Sequence, residues 1–291
     1  MSVEQDGLAV QAADGHRWQL YACSPERPVA ALLWLPALGV GARHYLPFAQ
    51  ALAAHGVASF LHEWRGAGSS HLRAGRALAP GEGLVGELLE LDLPASAEAM
   101  RRQLPDLPVV VGGHSLGGQL ACCHLATAPQ AAHGIWLVGS GAPWWRAFPR
   151  RHRLMLRLAY RLLPWLADRN GALPGRRLGF GGREARGVMR DWSGTALTGR
   201  YAASGLGLDL EAGMARIDAP IHAIVPAADW YAPESSLRYL LAKMPHAEAR
   251  VDTMDAAALG TRADHFAWMK RPDAVAARLS LGLPRLRSRA D

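Results

Sequence analysis

The chain has 291 residues, half of them hydrophobic and a fifth charged. That length supports a sizeable buried core in one large or two modest domains, and the composition excludes a mainly disordered chain. Lys plus Arg number 32 against 25 Asp plus Glu, a formal net charge of +7, and Lys243 and Lys270 are the only lysines. An arginine bias of this kind reflects codon usage as much as function, so the basic balance by itself does not argue for nucleic-acid binding. The three cysteines include the adjacent pair Cys122 and Cys123. Their spacing gives neither a disulfide framework nor a zinc site and points to a reducing compartment. Residues 1–14 carry Glu4 and Asp6 and no apolar core, unlike a signal peptide. No apolar run approaches the roughly 18 residues of a membrane span. The expectation is a cytoplasmic protein with no transmembrane segment.

In chain order, the first 25 residues alternate as an antiparallel edge hairpin does. Residues 30–35 read as a buried strand ended by Pro36, 43–55 as a helix, and 57–62 as a strand. A helix is expected over 87–104, a strand from Val109, a helix over 116–128 and a strand over 134–139. After a long interruption follow a strand at 221–225, a helix at 234–243, a strand near 248–252 and a last helix near 272–281. Strands separated by helices predict an α/β chain with a mostly parallel sheet covered on both faces. The interruption of about 80 residues is too long for an ordinary connection. Leu154, Leu158, Leu162 and Trp165 recur there at helical steps, and glycines gather at Gly171, Gly175, Gly179, Gly181 and Gly182. The expected division is a core of residues 1–141 and 213–291 with a helical cap, 142–212, inserted over the sheet.

The strongest motif is Gly113-His114-Ser115-Leu116-Gly117. It follows the strand from Val109 and opens the helix at Leu116, which is the strand–turn–helix setting of a nucleophile elbow. A serine nucleophile needs a base, and the base needs an orienting acid. In the order Ser, Asp, His, the acid is Asp229, just past the strand at 221–225, with Asp252 and Asp255 as weaker alternatives. Only His246 and His265 follow Asp229, and His265, in a loop before the last helix, is the expected base. The oxyanion hole should use the N–H of Leu116 and a second N–H from the loop after residues 30–35, Leu38 in preference to Ala37. His114, Trp144 and Trp145 are the candidate substrate contacts, and His44, His62 and His71 lie in loops near the same rim.

Together these residues resemble the α/β-hydrolase superfamily, and more narrowly the bacterial hydrolases of the serine aminopeptidase and lysophospholipase-like group. The resemblance rests on Pro36-Ala37-Leu38-Gly39-Val40 with Tyr45, on Arg65-Gly66-Ala67-Gly68-Ser69-Ser70, on Asp92, on the elbow Gly113 to Gly118, on Trp144-Trp145, and on Asp229-Trp230-Tyr231-Ala232-Pro233 with His265-Phe266. Glu63 stands where many members have Asp, and Pro36-Ala37 replaces the more usual His-Gly. Arg65 and Asp92 are expected to pair and brace the sheet rim. The resemblance implies an α/β-hydrolase fold with an inserted helical cap, and a hydrolase acting on a carboxylic ester or thioester through an acyl-enzyme, with no metal or organic cofactor. An acyltransferase on the same residues and a non-catalytic binding protein of the same fold are the alternatives. The expected partner is a small-molecule acyl substrate rather than nucleic acid, and the sequence does not set the oligomeric state. Residues 142–200 hold 13 arginines against Asp168, Glu184 and Asp191, so the basic excess sits in the cap. This segment is expected to attract an anionic or lipid-like substrate, or an anionic surface.

Overall fold

A computed structural model of the chain describes residues 3–75, 85–178 and 181–283. Gly179 and the arginine-rich residues 285–291 lie outside the described residues. Eight strands form one sheet: β1 (Val3–Gln11), β2 (Arg17–Pro25), β3 (Ala30–Leu35), β4 (Val57–Leu61), β5 (Val109–His114), β6 (Gly134–Val138), β9 (Ile221–Pro226) and β10 (Ala249–Met254). The short pair β7 (Leu173–Pro174) and β8 (Arg183–Glu184) lies between β6 and β9 in sequence. The order across the large sheet is β1-β2-β4-β3-β5-β6-β9-β10. The β1–β2 and β2–β4 ladders are antiparallel and all the others are parallel.

The period of two explains how this sheet is covered. Ala31, Leu33 and Leu35 of β3 enter one core cluster, and Ala30, Leu32 and Trp34 enter the other. On the first face pack Leu120, Ala121 and Leu125 of the helix Leu116–Thr127, with Ala97 and Met100 of the helix Leu93–Gln103. On the second pack Phe48, Ala49 and Leu52 of the helix Leu46–Ala53, with Val275, Ala276 and Leu279 of the helix Asp273–Ser280. A fully buried leucine such as Leu52 contributes about 1.5–3 kcal/mol over an exposed one. Strands buried on both faces read as continuous apolar runs, which is why 30–35 is legible as a strand.

The helix expected over 87–104 is interrupted. Residues 88–92 form a wide turn in which Leu93 N–H donates to Leu88 O, five residues back. Pro94, which has no N–H to donate, opens the regular helix that follows. The segment between β6 and β9 contains two larger helices, Arg150–Asn170 and Arg186–Thr198, that pack on each other. The short helix Leu210–Met214 spans the expected 212/213 boundary. Its Gly213 approaches the Ala126 carbonyl of the helix Leu116–Thr127 so closely that a Cβ would sit 2.4 Å away. The loop after β3 meets the insertion backbone to backbone: a Cβ on Gly39 would lie 2.0 Å from Gly182 N and 2.3 Å from Gly181 C.

Candidate active site

Ser115 stands between β5 and the helix it opens, at φ 57 and ψ −120, the one non-glycine positive φ among the described residues. A serine held there is strained by about 1–3 kcal/mol, and it persists because its surroundings fix it. Its N–H donates to Val138 O at 3.1 Å. The turn needs small neighbours: a Cβ on Gly117 would lie 2.0 Å from Leu35 O. Leu116, the first residue of the helix, has an N–H without an intrahelical acceptor, beside the positive end of the helix dipole.

Asp229 and His265 reach the same rim from the ends of β9 and of the loop before the last helix. His265 Nδ1 lies 2.7 Å from Asp229 Oδ2, and both residues are buried. The other carboxylate oxygen accepts the N–H groups of Tyr231 (2.8 Å) and Ala232 (3.0 Å), so one oxygen builds the turn and the other faces the imidazole. Ala228 N–H donates to Ala263 O at 2.9 Å and stitches the two loops together. Trp268 Nε1 donates to the His265 carbonyl at 3.1 Å. With Nδ1 turned to Asp229, Nε2 is the ring nitrogen left for chemistry.

Ser115, His265, Leu38 and Leu116 all border one cavity of about 420 Å³, within the range of small-molecule sites. Its walls are mostly apolar: Phe148, Leu156, Tyr160, Leu163, Leu166 and Trp192 come from the insertion. Behind the loop, Ala37 N–H donates to the buried Tyr45 hydroxyl at 2.9 Å, and the same hydroxyl lies 2.9 Å from His114 Nδ1. Ala37 N–H is therefore already engaged.

A family model described as serine aminopeptidase, S33 matches residues 26–258. The chain belongs to that family. It is thus an α/β hydrolase, and its solved relatives share the fold at low identity. An esterase from Thermogutta terrifontis is 15% identical with a TM-score of 0.64, over 97% of this chain and 99% of the other. A carboxylesterase structure from the thaumarchaeon Nitrososphaera gargenis gives 14% and 0.63, over 97% and 99%. A hydrolase from Pseudomonas aeruginosa gives 20% and 0.58, over 96% and 98%. No curated protein matches by sequence.

Within this α/β hydrolase, three expected substrate contacts stand away from the cavity wall. Trp144 packs at a tilt on Tyr239, with ring centroids 4.5 Å apart, and fixes the start of the segment after β6 to the helix Glu234–Leu241. Trp145 lies under the guanidinium groups of Arg146 and Arg157. His114 is fully buried between Tyr45 and His265, and burial holds its ring well below the usual histidine pKa, hence neutral. The aromatic residues that do line the cavity wall from the insertion are Phe148, Tyr160 and Trp192. The sequence signal for Tyr160 is the second stripe of the long helix, Leu156, Tyr160, Leu163 and Ala167, spaced four, three and four; Phe148 and Trp192 lie outside that helix.

None of the other candidates borders this cavity. Asp252 meets His222 Nε2 at 2.7 Å, Asp255 caps Ala258 N–H, and His246 is exposed. His62 is buried against Ser96, and burial lowers its pKa to about 4. His71 accepts from Arg17 N–H. Arg65 and Asp92 pair as expected, at 2.6 and 3.0 Å, with Asp14 and His16 completing the cluster. Burial pushes the Asp92 carboxyl up, but hydrogen bonds from His16 and Arg65 hold it below its ordinary value. Glu63 accepts the N–H groups of Ala42, Trp64 and Ser69 and so braces the Arg65 turn. Cys122 and Cys123 are buried in the elbow helix. The basic excess divides. Arg176, Arg177 and Arg183 join Arg43 and His44 around a second cavity of about 620 Å³ beyond Gly39, and most of the remainder lies along the helix Arg150–Asn170. Among the described residues no helix is long and apolar enough to cross a membrane.

Proposed function

We propose that this hydrolase cleaves a carboxylic ester or thioester through an acyl-enzyme on Ser115. Ser115 Oγ attacks the acyl carbonyl carbon while His265 Nε2 takes its proton. The N–H groups of Leu116 and Leu38 hold the negative charge that develops on the carbonyl oxygen. The carbon–oxygen or carbon–sulfur bond breaks, and the proton passes from Nε2 to the leaving group. Water then attacks the acyl-Ser115 ester, again giving its proton to Nε2, and the acid leaves as Ser115 recovers a proton. Asp229 keeps the imidazole oriented and stabilises its charged form. The observation that carries the reading is the strained Ser115 on a cavity shared with His265, whose remote nitrogen meets a buried carboxylate at 2.7 Å. In this reading residues 142–212 act as a cap, and its apolar wall favours an apolar acyl group.

A fluorophosphonate probe should label the wild type and not Ser115→Ala. On a panel of esters, thioesters and aminoacyl amides of graded length, Ser115→Ala should lose about 10⁴-fold or more in kcat/KM. Absence of labelling under conditions that label a control serine hydrolase, or amides cleaved faster than every ester, would overturn the reading.

A further inference from the structure

The helix Arg150–Asn170 has two apolar stripes. Leu156, Tyr160 and Ala167 are buried. The stripe that the sequence makes most visible is the other one: Leu154 is 69% exposed, Leu158 58%, Leu162 51% and Trp165 56%, with Met155 beside them at 49%. Five of the nine exposed large apolar side chains among the described residues therefore sit on this one helix. At about 1.5 Å per residue, the stripe from Leu154 to Trp165 is about 16 Å long. A contiguous exposed patch of this kind marks an interaction surface rather than scattered surface residues. It is also continuous with the cavity mouth, because Met155 and Leu162 border the cavity while half exposed, as do Trp230 and Phe266 from the other side.

The charges around the stripe select its partner. Arg150, Arg151, Arg157, Arg161 and Arg169 are exposed on the same helix. Its one acid, Asp168, is paired with Arg190 at 2.7 Å. A second copy of the chain would press this arginine row onto itself with no spare carboxylate on the helix to meet it. A surface that is apolar in depth and negative at its edge fits both features, since leucine and tryptophan enter the acyl boundary and arginines meet headgroups. We propose that the helix Arg150–Asn170 docks on an anionic lipid surface and presents the mouth of the acyl cavity to it. The docking is peripheral and reversible.

The test is partition of the full chain onto vesicles of phosphatidylcholine alone and of phosphatidylcholine mixed equally with phosphatidylglycerol. Wild type should bind the mixed vesicles and not the neutral ones. Raising salt from 0.1 to 1 M, which shortens the screening length from about 10 to about 3 Å, should release it. Leu158→Glu with Trp165→Glu, both outside the cavity wall, should weaken partition by about tenfold or more while hydrolysis of a soluble short-chain ester is unchanged. Arg157→Gln with Arg161→Gln should also weaken it and flatten the salt dependence, a second readout if the first pair misfolds. Ser115→Ala should bind as wild type does, so the docking stands or falls apart from the serine chemistry. No binding to mixed vesicles, equal binding by wild type and the glutamate pair, or a solution dimer that the glutamate pair dissolves would overturn it.

Discussion

Tyr45 offers the sharpest test of the proposed oxyanion role of the loop after β3, because its hydroxyl holds that loop from behind without facing the cavity. The side chain is fully buried, with Oη 2.9 Å from Ala37 N and 2.9 Å from His114 Nδ1. Tyr45→Phe keeps the ring and removes both bonds, leaving a buried N–H and a buried ring nitrogen without partners. At about 1–3 kcal/mol for each unsatisfied group, with some relaxation, the loss is about 2–4 kcal/mol of stability. For a chain of this size that lowers Tm by roughly 4–8 °C. Deleting an oxyanion donor outright costs about 10²–10³ in kcat. Here Leu38 N–H is kept and only its neighbour is released, so the expected fall in kcat is about tenfold. KM for a short soluble ester should be unchanged, because ground-state contacts are untouched. The assays are a thermal melt and steady-state kinetics on the same preparation. A lowered Tm with wild-type kcat would refute the loop's part in catalysis, and an unchanged Tm would refute the energetic reading of the two bonds.

Asp229→Asn should keep the turn bonds to Tyr231 and Ala232, fold normally by circular dichroism, and lose about 10⁴-fold in kcat, since the wrong imidazole tautomer is then favoured. Burial raises the Glu184 carboxyl to about 7 from its ordinary 4.5, so the folded chain keeps a proton that the unfolded chain releases. Its contribution to stability is full below about 4.5 and is lost as pH rises through about 7. Glu184→Gln should therefore leave Tm unchanged near pH 4.5 and raise it relative to wild type at pH 8, by about 1–3 kcal/mol of stability. Equal pH profiles for the two proteins would refute it. Leu163→Phe narrows the cavity and should lower kcat/KM for long-chain esters by about tenfold while sparing short ones; Trp145→Ala should leave the chain-length profile as it is. A profile unchanged in the first or altered in the second would contradict the assigned walls.

The inner parallel strands such as β3 and β6 were legible because burial on both faces makes each a continuous apolar run, whereas the parallel edge strand β10 is exposed or half-buried over most of its length and carries Arg250 and Asp252. The elbow was legible because the turn at Ser115 leaves no room for a side chain at Gly113, Gly117 and Gly118. The pairing of Asp229 with His265 was suggested by chain order, by the place of Asp229 beyond a strand end and by that of His265 in the loop before the last helix, and the two side chains do meet. The long helix was not readable to the same depth. Its apolar residues occupy two stripes, and periodicity alone does not say which stripe faces the protein, so Leu154, Leu158, Leu162 and Trp165 turn out to be the exposed set. Trp144 and Trp145 carry large apolar area, but Trp144 packs it on Tyr239, and Trp145 on two arginines and the outside of the Phe148, Leu156 and Tyr160 cluster. Tyr45 stands near the oxyanion loop in sequence, yet its link to His114 spans 69 residues and is set by the packing of two strands and a helix. The wide turn at 88–92 depends on a hydrogen-bond step that composition does not encode.

The close approach of Gly39 to the Gly181–Gly182 backbone matches the two segments to each other. Gly39 has φ +76 and no room for a methyl group on the side facing this backbone, whereas a Cβ on Gly182 would meet Gly39 at a tight 3.0 Å, so the seam is strictest at Gly39. A chimera that transplants a foreign insertion onto this core would need to bring its own side-chain-free stretch at that point, or the loop carrying Leu38 would shift. Swapping the segment to change substrate range is therefore an exchange of two matched parts, and libraries built on this scaffold should diversify the walls at Phe148, Leu163 and Trp192 before touching the glycine seam.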